Sequence, residues 1–340
     1  MIASRVFKPL LILAATSFIT ALAHAGSYSW QNLQSDIHGV ATNTDPNLVN
    51  PWGMAPNMSG SVIWVSDNGT GVSTLYDQSG NAQPLVVTIP AKDKNKTGTP
   101  TGIVRNDTTF FKVTKNGISK PAKFIFVSED GTISGWNPNL DLNNAIVAVK
   151  AKGDTVYKGV TMGMANGHNF LFATNFHKGE VDTYDENFNL VKAKNFMDPT
   201  LPKRFAPFGI RNINGQIYVT YALQGPGEHD DVAGPGNGFI NVFDTSGNFV
   251  KRLVSNGNLN SPWGLALIEG DELWVGNFGD GKIDNYDPNT GAFLGTINRA
   301  DGTPLQFDGL WDMLPLGSGV YFTAGISDEQ HGLFGLITED

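Results

Sequence analysis

Pro51-Trp52-Gly53-Met54-Ala55 is followed along the chain by Pro100-Thr101-Gly102-Ile103-Val104, Tyr157-Lys158-Gly159-Val160, Pro207-Phe208-Gly209-Ile210, Pro262-Trp263-Gly264-Leu265-Ala266 and Phe307-Asp308-Gly309-Leu310. A turn, a glycine and a short apolar run thus recur six times at intervals of roughly fifty residues, the signature of a repeat architecture. Each copy continues alike. In the fifth, Glu272-Leu273-Trp274-Val275-Gly276-Asn277 alternates with period two, and a glycine-rich turn leads to Lys282-Ile283-Asp284-Asn285-Tyr286-Asp287. Pro288-Asn289-Thr290-Gly291 then forms a turn cluster, since Pro fixes φ and Gly accepts φ > 0, and Ala292-Phe293-Leu294-Gly295-Thr296-Ile297 is a last strand. Four antiparallel strands per repeat is a propeller blade. The chain therefore predicts an all-β, six-bladed β-propeller of four-stranded antiparallel blades, with each opening glycine on an innermost, crowded strand.

The ends agree with that count. The sixth copy supplies Leu310-Trp311-Asp312-Met313-Leu314, Gly319-Val320-Tyr321-Phe322-Thr323-Ala324 and Leu333-Phe334-Gly335-Leu336-Ile337, one strand short of a blade. Tyr28-Ser29-Trp30-Gln31-Asn32-Leu33 has no blade of its own. It is expected to complete the last blade as its outer strand, closing the ring and removing edges that invite aggregation.

The first residues read as an export signal. Arg5 and Lys8 precede an apolar stretch from Leu10 to Leu22, and Ala23-His24-Ala25 offers a small-x-small cleavage site. Residues 1–25 are expected to be removed, leaving 26–340 as one propeller in the periplasm or outside the cell, with no membrane insertion after cleavage. The absence of cysteine excludes a thiol nucleophile, a thiolate metal site and a lipid-modified N-terminal cysteine. A net charge of −9, with only Lys92-Asp93-Lys94-Asn95-Lys96 as a short basic run, excludes nucleic acid as a partner class.

The copies resemble NHL-type repeats, whose apolar strand ends in an Asp and Asn step and whose next strand ends in an aromatic-Asp step, matched here by Asp67-Asn68 and Tyr76-Asp77. More narrowly, Thr44-Asp45-Pro46-Asn47-Leu48-Val49-Asn50-Pro51-Trp52-Gly53 resembles a family of secreted bacterial NHL-like propellers. So do Tyr221-Ala222-Leu223-Gln224 and His229-Asp230-Asp231-Val232-Ala233-Gly234-Pro235-Gly236-Asn237-Gly238. The resemblance implies the fold and no particular activity. It also allows a C-terminal sorting tail, which Ile337-Thr338-Glu339-Asp340 does not match.

Topology selects the candidate surface. Loops joining the second and third strands emerge on the face that also carries the blade-to-blade connections, at the channel mouth. The longest such loop lies between Ala222 and Asn237, and long loops in compact domains are often functional. Its Glu228, His229, Asp230 and Asp231, with Asp328 and His331 of the matching loop in blade six (Asp328-Glu329-Gln330-His331), form a candidate oxygen-and-imidazole cation site suited to calcium. The competing reading is a solvated acidic loop. Donors expected to converge there are Asp67, Asn68, Glu129, Asp130, Asn175, His177 and Asn277, although Asp and Asn also end strands by bonding their own backbone. Trp52 and Trp263 occupy equivalent repeat positions and read as packing.

No Gly-x-Ser-x-Gly elbow, Walker loop or His-Glu-x-x-His is present. The leading functional expectation is a monomeric binding or scaffold module of the cell envelope, taking a small molecule or an envelope protein, with a divalent cation such as calcium as the one candidate cofactor. The alternative is a calcium-type hydrolase or lactonase with Asp230 as base.

Overall fold

Strand pairing follows the repeat. The computed structural model describes residues 26–191, 196–268 and 272–340, so the expected signal over 1–25 lies outside the described residues. Blade one pairs Pro51–Pro56, Val62–Asp67, Val72–Asp77 and Val87–Thr88 in chain order. Blade two uses Pro100–Arg105, Phe124–Ser128, Thr132–Trp136 and Ile146–Lys150, with an inserted hairpin of Lys112–Lys115 and Ile118–Pro121. Blade three contains Tyr157–Ala165, His168–Asn175 and Glu180–Tyr184. Its expected fourth strand follows the Tyr184–Leu190 bridge, where residues 192–195 lie outside those described. Blades four and five each have four strands, beginning at Phe205–Ile213 and Pro262–Ile268. Among the described residues there is no helix.

Blade six is completed as expected. Tyr28–Ser35 pairs antiparallel with Leu333–Glu339, matching Tyr28 to Glu339 and Trp30 to Ile337. Asn43–Thr44 then adds a short parallel strand outside it.

The period-two alternation separates the two faces of each blade. Leu273 and Val275 pack toward blade four, while Trp274 between them packs toward blade six. Ile63 and Val65 likewise face blade six, and Trp64 faces blade two. Apolar clusters of this kind fill all six gaps between neighbouring blades, including the gap from blade six to blade one. Both faces of a blade are thus buried, which is why its second strands carry continuous apolar runs such as Ile63-Trp64-Val65 and Leu273-Trp274-Val275. The aromatic-Asp step has a local cause. Tyr76, Tyr184 and Phe243 are buried, and the following Asp77, Asp185 and Asp244 cap a turn by accepting from backbone N–H groups two and four residues on.

The first strands meet at the axis. Each repeat carries a bulge there, which makes Trp52, Thr101, Lys158, Phe208, Trp263 and Trp311 equivalent. The next residue is Gly53, Gly102, Gly159, Gly209 or Gly264, and a Cβ on any of these would meet backbone of the following blade at 3.1 Å or less. The sixth repeat departs from the sequence alignment. Gly309 lies in the preceding turn with φ +63, and Asp312 takes the axial position. A carboxylate fits because it is bonded: Asp312 Oδ2 accepts from Met54 N (2.8 Å), and Oδ1 accepts from Met313 N (2.8 Å) and Arg211 Nη2 (2.5 Å). At Gly209 no such accommodation exists, since a Cβ would lie 2.1 Å from the Trp263 carbonyl oxygen. Gly209→Ala is expected to destabilise the fold by about 1–3 kcal/mol through forced backbone displacement. An unchanged urea midpoint would disprove this packing argument.

Candidate functional site

The axis is divided into two compartments by an aromatic layer. Trp52 stacks on Trp311 at 3.4 Å, Phe278 stacks on the same ring at 4.0 Å, and Trp263, Phe176 and Phe208 complete the plug. Below it lies a cavity of about 290 Å³ lined by the first strands. The Arg211–Asp312 ion pair lies within it. Both Asp312 oxygens are engaged by donors from the channel wall, so the lower chamber reads as a braced channel. The chemistry is concentrated above the plug.

Blade three places Lys158 where blades one, four, five and six place large aromatics. The side chain is only 3% exposed. Its Nζ donates to Glu129 Oε1 (2.6 Å), lies 3.7 Å from Asp230 Oδ1, and sits 5.1 Å from the Trp52 ring centroid. Glu129 Oε2 accepts from Asn68 Nδ2 (3.0 Å). Burial alone would raise the Glu129 pKa. The Lys158 charge, together with hydrogen bonds from Lys158 and Asn68, outweighs that effect and holds it below the usual range.

The long blade-four loop lies over this pair. His229 Nδ1 and Asp230 Oδ1 are 2.7 Å apart, and Glu129, His229 and Asp230 each offer a ligand atom within 4.8 Å of the others. Asp231 lies deeper, and burial raises its pKa. From blade six, Glu329 accepts from Asn50 Nδ2 (2.7 Å), and Asn50 Oδ1 accepts from Trp311 Nε1 (2.9 Å). Burial raises the Glu329 pKa as well, with the Glu129 and Asp231 charges adding to the rise. Asn50, Glu228, Ser261, Ser327, Asp328 and Glu329 all have φ between 46° and 63°, so the loops around this mouth hold several non-glycine residues in left-handed backbone. Such local strain is often found at functional sites.

The candidate residues divide into two groups. Asn68, Glu129, His229, Asp230 and Asp231 come together, and His177 Nε2 lies 3.9 Å from Glu228 Oε2. The other candidates engage the blades' own structure. Asn175 and Asn277 donate to Asp182 and Asp284, and they accept from Val156 N and Asn260 N. Asp67 is fully buried, accepts from Thr74 N, and has its pKa raised well above normal by burial. Asp130 caps Lys92 N and Thr132 N. His331 pairs with Asp36 (2.6 Å), fastening the N-terminal segment, while Asp328 is exposed. Lys158 was not among the expected residues, yet its register with Trp52 and Trp263 was a readable signal.

No protein-family model matches the chain. By sequence it is 32% identical over 323 residues to "Uncharacterized protein R648" of Acanthamoeba polyphaga mimivirus, covering 91% of this chain and 79% of that one. It is 31% identical over 325 residues to "Uncharacterized protein L690" of the same virus, covering 91% and 85%. These relatives are viral, whereas the motif resemblance pointed to secreted bacterial proteins. By structure, the chain is similar to virginiamycin B lyase from Staphylococcus aureus (TM-score 0.56, 15% identity, 92% of this chain and 100% of that one). A streptogramin B lyase structure matches with TM-score 0.57 and 13% identity over 92% and 98% of the two chains. At those identities the likeness establishes the propeller fold alone. The agreement with the two viral sequences runs through nearly the whole length, and the chain belongs to the same family as those mimivirus proteins.

Proposed function

We propose that the protein is an exported binding module whose ligand docks at the acidic channel mouth and carries positive charge. The observation behind this reading is the convergence of Glu129, Asp230, Asp231 and Glu329 around a single buried ammonium, Lys158, which leaves the mouth net negative. A net-negative concavity with low-dielectric walls concentrates cations. Export is supported by the positive-then-apolar segment at residues 5–22. The partner is a small molecule or a protein segment of the cell envelope, bound by a monomer.

A second reading, a calcium-type hydrolase, is favoured by the Glu129, His229 and Asp230 group. The donor set fits a metal poorly as it stands, since Glu129 has both oxygens engaged by Lys158 and Asn68. An incoming ion would have to displace the ammonium first.

Melting temperature in the presence of sulfate, CaCl₂, ZnCl₂ and organic amines tests the charge assignment. Cations are expected to stabilise the parent, by about 2.7 kcal/mol at a hundredfold excess over Kd, and to leave the Asp230→Asn/Asp231→Asn double variant unmoved. Stabilisation by sulfate alone would sink the reading. An EDTA-sensitive melt with stoichiometric metal by elemental analysis would favour the hydrolase.

A further inference from the structure

The brace across the lower chamber leaves most of Arg211 unused. Two residues beyond the axial glycine, or beyond Asp312 in blade six, the other blades carry Ala55, Val104, Thr161, Ala266 and Leu314, and blade four alone carries a charge. A guanidinium presents a planar fork of N–H donors. Arg211 spends Nη2 on Asp312 Oδ1, and among the described residues neither its Nε nor its Nη1 meets a protein acceptor. The side chain is 25% exposed and lines the chamber of about 290 Å³.

The rest of the wall is spent or apolar. Both Asp312 oxygens are engaged, and Arg105 is held by Asp107 and by the Pro56 and Asn57 carbonyl oxygens. Asn212 uses both ends of its amide, on Met162 O and Gly215 N, and Trp263 Nε1 donates to Lys158 O. Thr161 Oγ1 accepts from Asn212 N (3.1 Å), which sets a hydroxyl donor beside the strand that carries Arg211. Ile103, Val160, Ile210 and Leu265 supply aliphatic surface around these groups. The side-chain hydrogen bonding still open in the chamber is therefore donor only, on an apolar wall. A cation finds no open carboxylate there. A carboxylate matches the guanidinium fork with two parallel bonds, and a short apolar body matches the aliphatic wall. Ligand pockets run from about 300 Å³ upward, so this one admits a small molecule or a chain end.

We infer that the lower chamber is a second site, separate from the mouth, which takes a monocarboxylate with a short apolar body on Arg211. A free acid and the C-terminal carboxylate of a peptide ending in an aliphatic residue share that chemistry. Isothermal titration of the protein with hexanoate, acetyl-glycyl-leucine, hexanamide, acetate and sodium sulfate separates the possibilities. Hexanoate or the peptide should bind at least tenfold more tightly than hexanamide, which has the body without the charge. The same margin should hold over acetate and sulfate, which have the charge without the body. The tighter of hexanoate and the peptide identifies the source. Arg211→Met should weaken binding at least tenfold, and Arg211→Lys, which keeps the charge and loses the fork, several-fold. Arg211→Met/Asp312→Asn removes both charges should Arg211→Met fail to fold. The Asp230→Asn/Asp231→Asn variant of the mouth should bind the acid as the parent does. The mouth's response to cations is measured separately, so either site can fail alone. Equal binding of hexanamide, acetate or sulfate, full retention in the folded Arg211 variants, loss in the mouth variant, or no binding of hexanoate and the peptide overturns the inference.

Discussion

A chain beginning at Asp45, without residues 26–44, is expected to lose cooperative folding and to oligomerise. Tyr28–Ser35 is the outer antiparallel strand of blade six, and its removal leaves Leu333–Glu339 as an open edge. Leu33 is buried in the cluster joining blade six to blade one. Trp30 packs edge-on against Phe307 and beneath Arg299, and Tyr28 packs against Trp274 of blade five. Fully burying a large apolar side chain contributes about 1.5–3 kcal/mol, and each ladder hydrogen bond about 0.5–1.5 kcal/mol. Their sum over one strand rivals the roughly 5–15 kcal/mol that holds a whole domain folded. The exposed edge is also a template for pairing between chains. Size-exclusion chromatography and thermal melting of 26–340 against 45–340 provide the test. A peptide of residues 26–44 added in trans should restore a monomeric, cooperative species by strand addition. A monomeric 45–340 chain melting within a few degrees of the parent would contradict the account of ring closure.

Lys158→Met should be the most damaging single substitution at the mouth. It leaves Glu129 buried and without its cation, and breaking a buried pair from one side costs about 3–5 kcal/mol. Adding Glu129→Gln should recover much of that loss, because the uncompensated charge is then gone. Denaturant titration of the two single variants and the double variant gives the coupling. The pH dependence has a definite sign. In the parent, Glu129 is held below its ordinary value of 4.5, so its contribution is fully present above 4.5 and is lost as pH falls through the depressed value. In Lys158→Met that depression is absent, and burial moves the acid-side change upward. Two variants with equal midpoints and the same acid limb as the parent would show that the pair is not coupled.

The Asp67 environment shows how one residue type serves different ends in this fold. Asn175 and Asn277 end their strands with a side-chain amide, and Asp67 occupies the corresponding end in blade one. Burial raises the Asp67 pKa well above the usual carboxylate range, and the side chain accepts from Thr74 N within its own blade. Such positions look like ligand donors in a sequence because Asp and Asn serve both purposes.

The period of the glycine-opened repeat, the alternation within each strand and the unpaired first strand were enough to specify six blades and their closure. Hydrophobic patterning is local and repeats six times, so each copy reinforces the others. The mouth lacks that redundancy. Whether Glu129 or its neighbour Asp130 turns inward depends on Asn68, 61 residues away, and on Lys158. Glu329, not Asp328, reaches over the axis through left-handed backbone and a bond to Asn50, 279 residues distant in the chain. Asp312 is tolerated at a glycine position because blades one and four supply its hydrogen-bond donors. A side chain's direction in a loop is decided by partners that only the closed ring brings near, so the blades were legible residue by residue while the site emerged from their assembly.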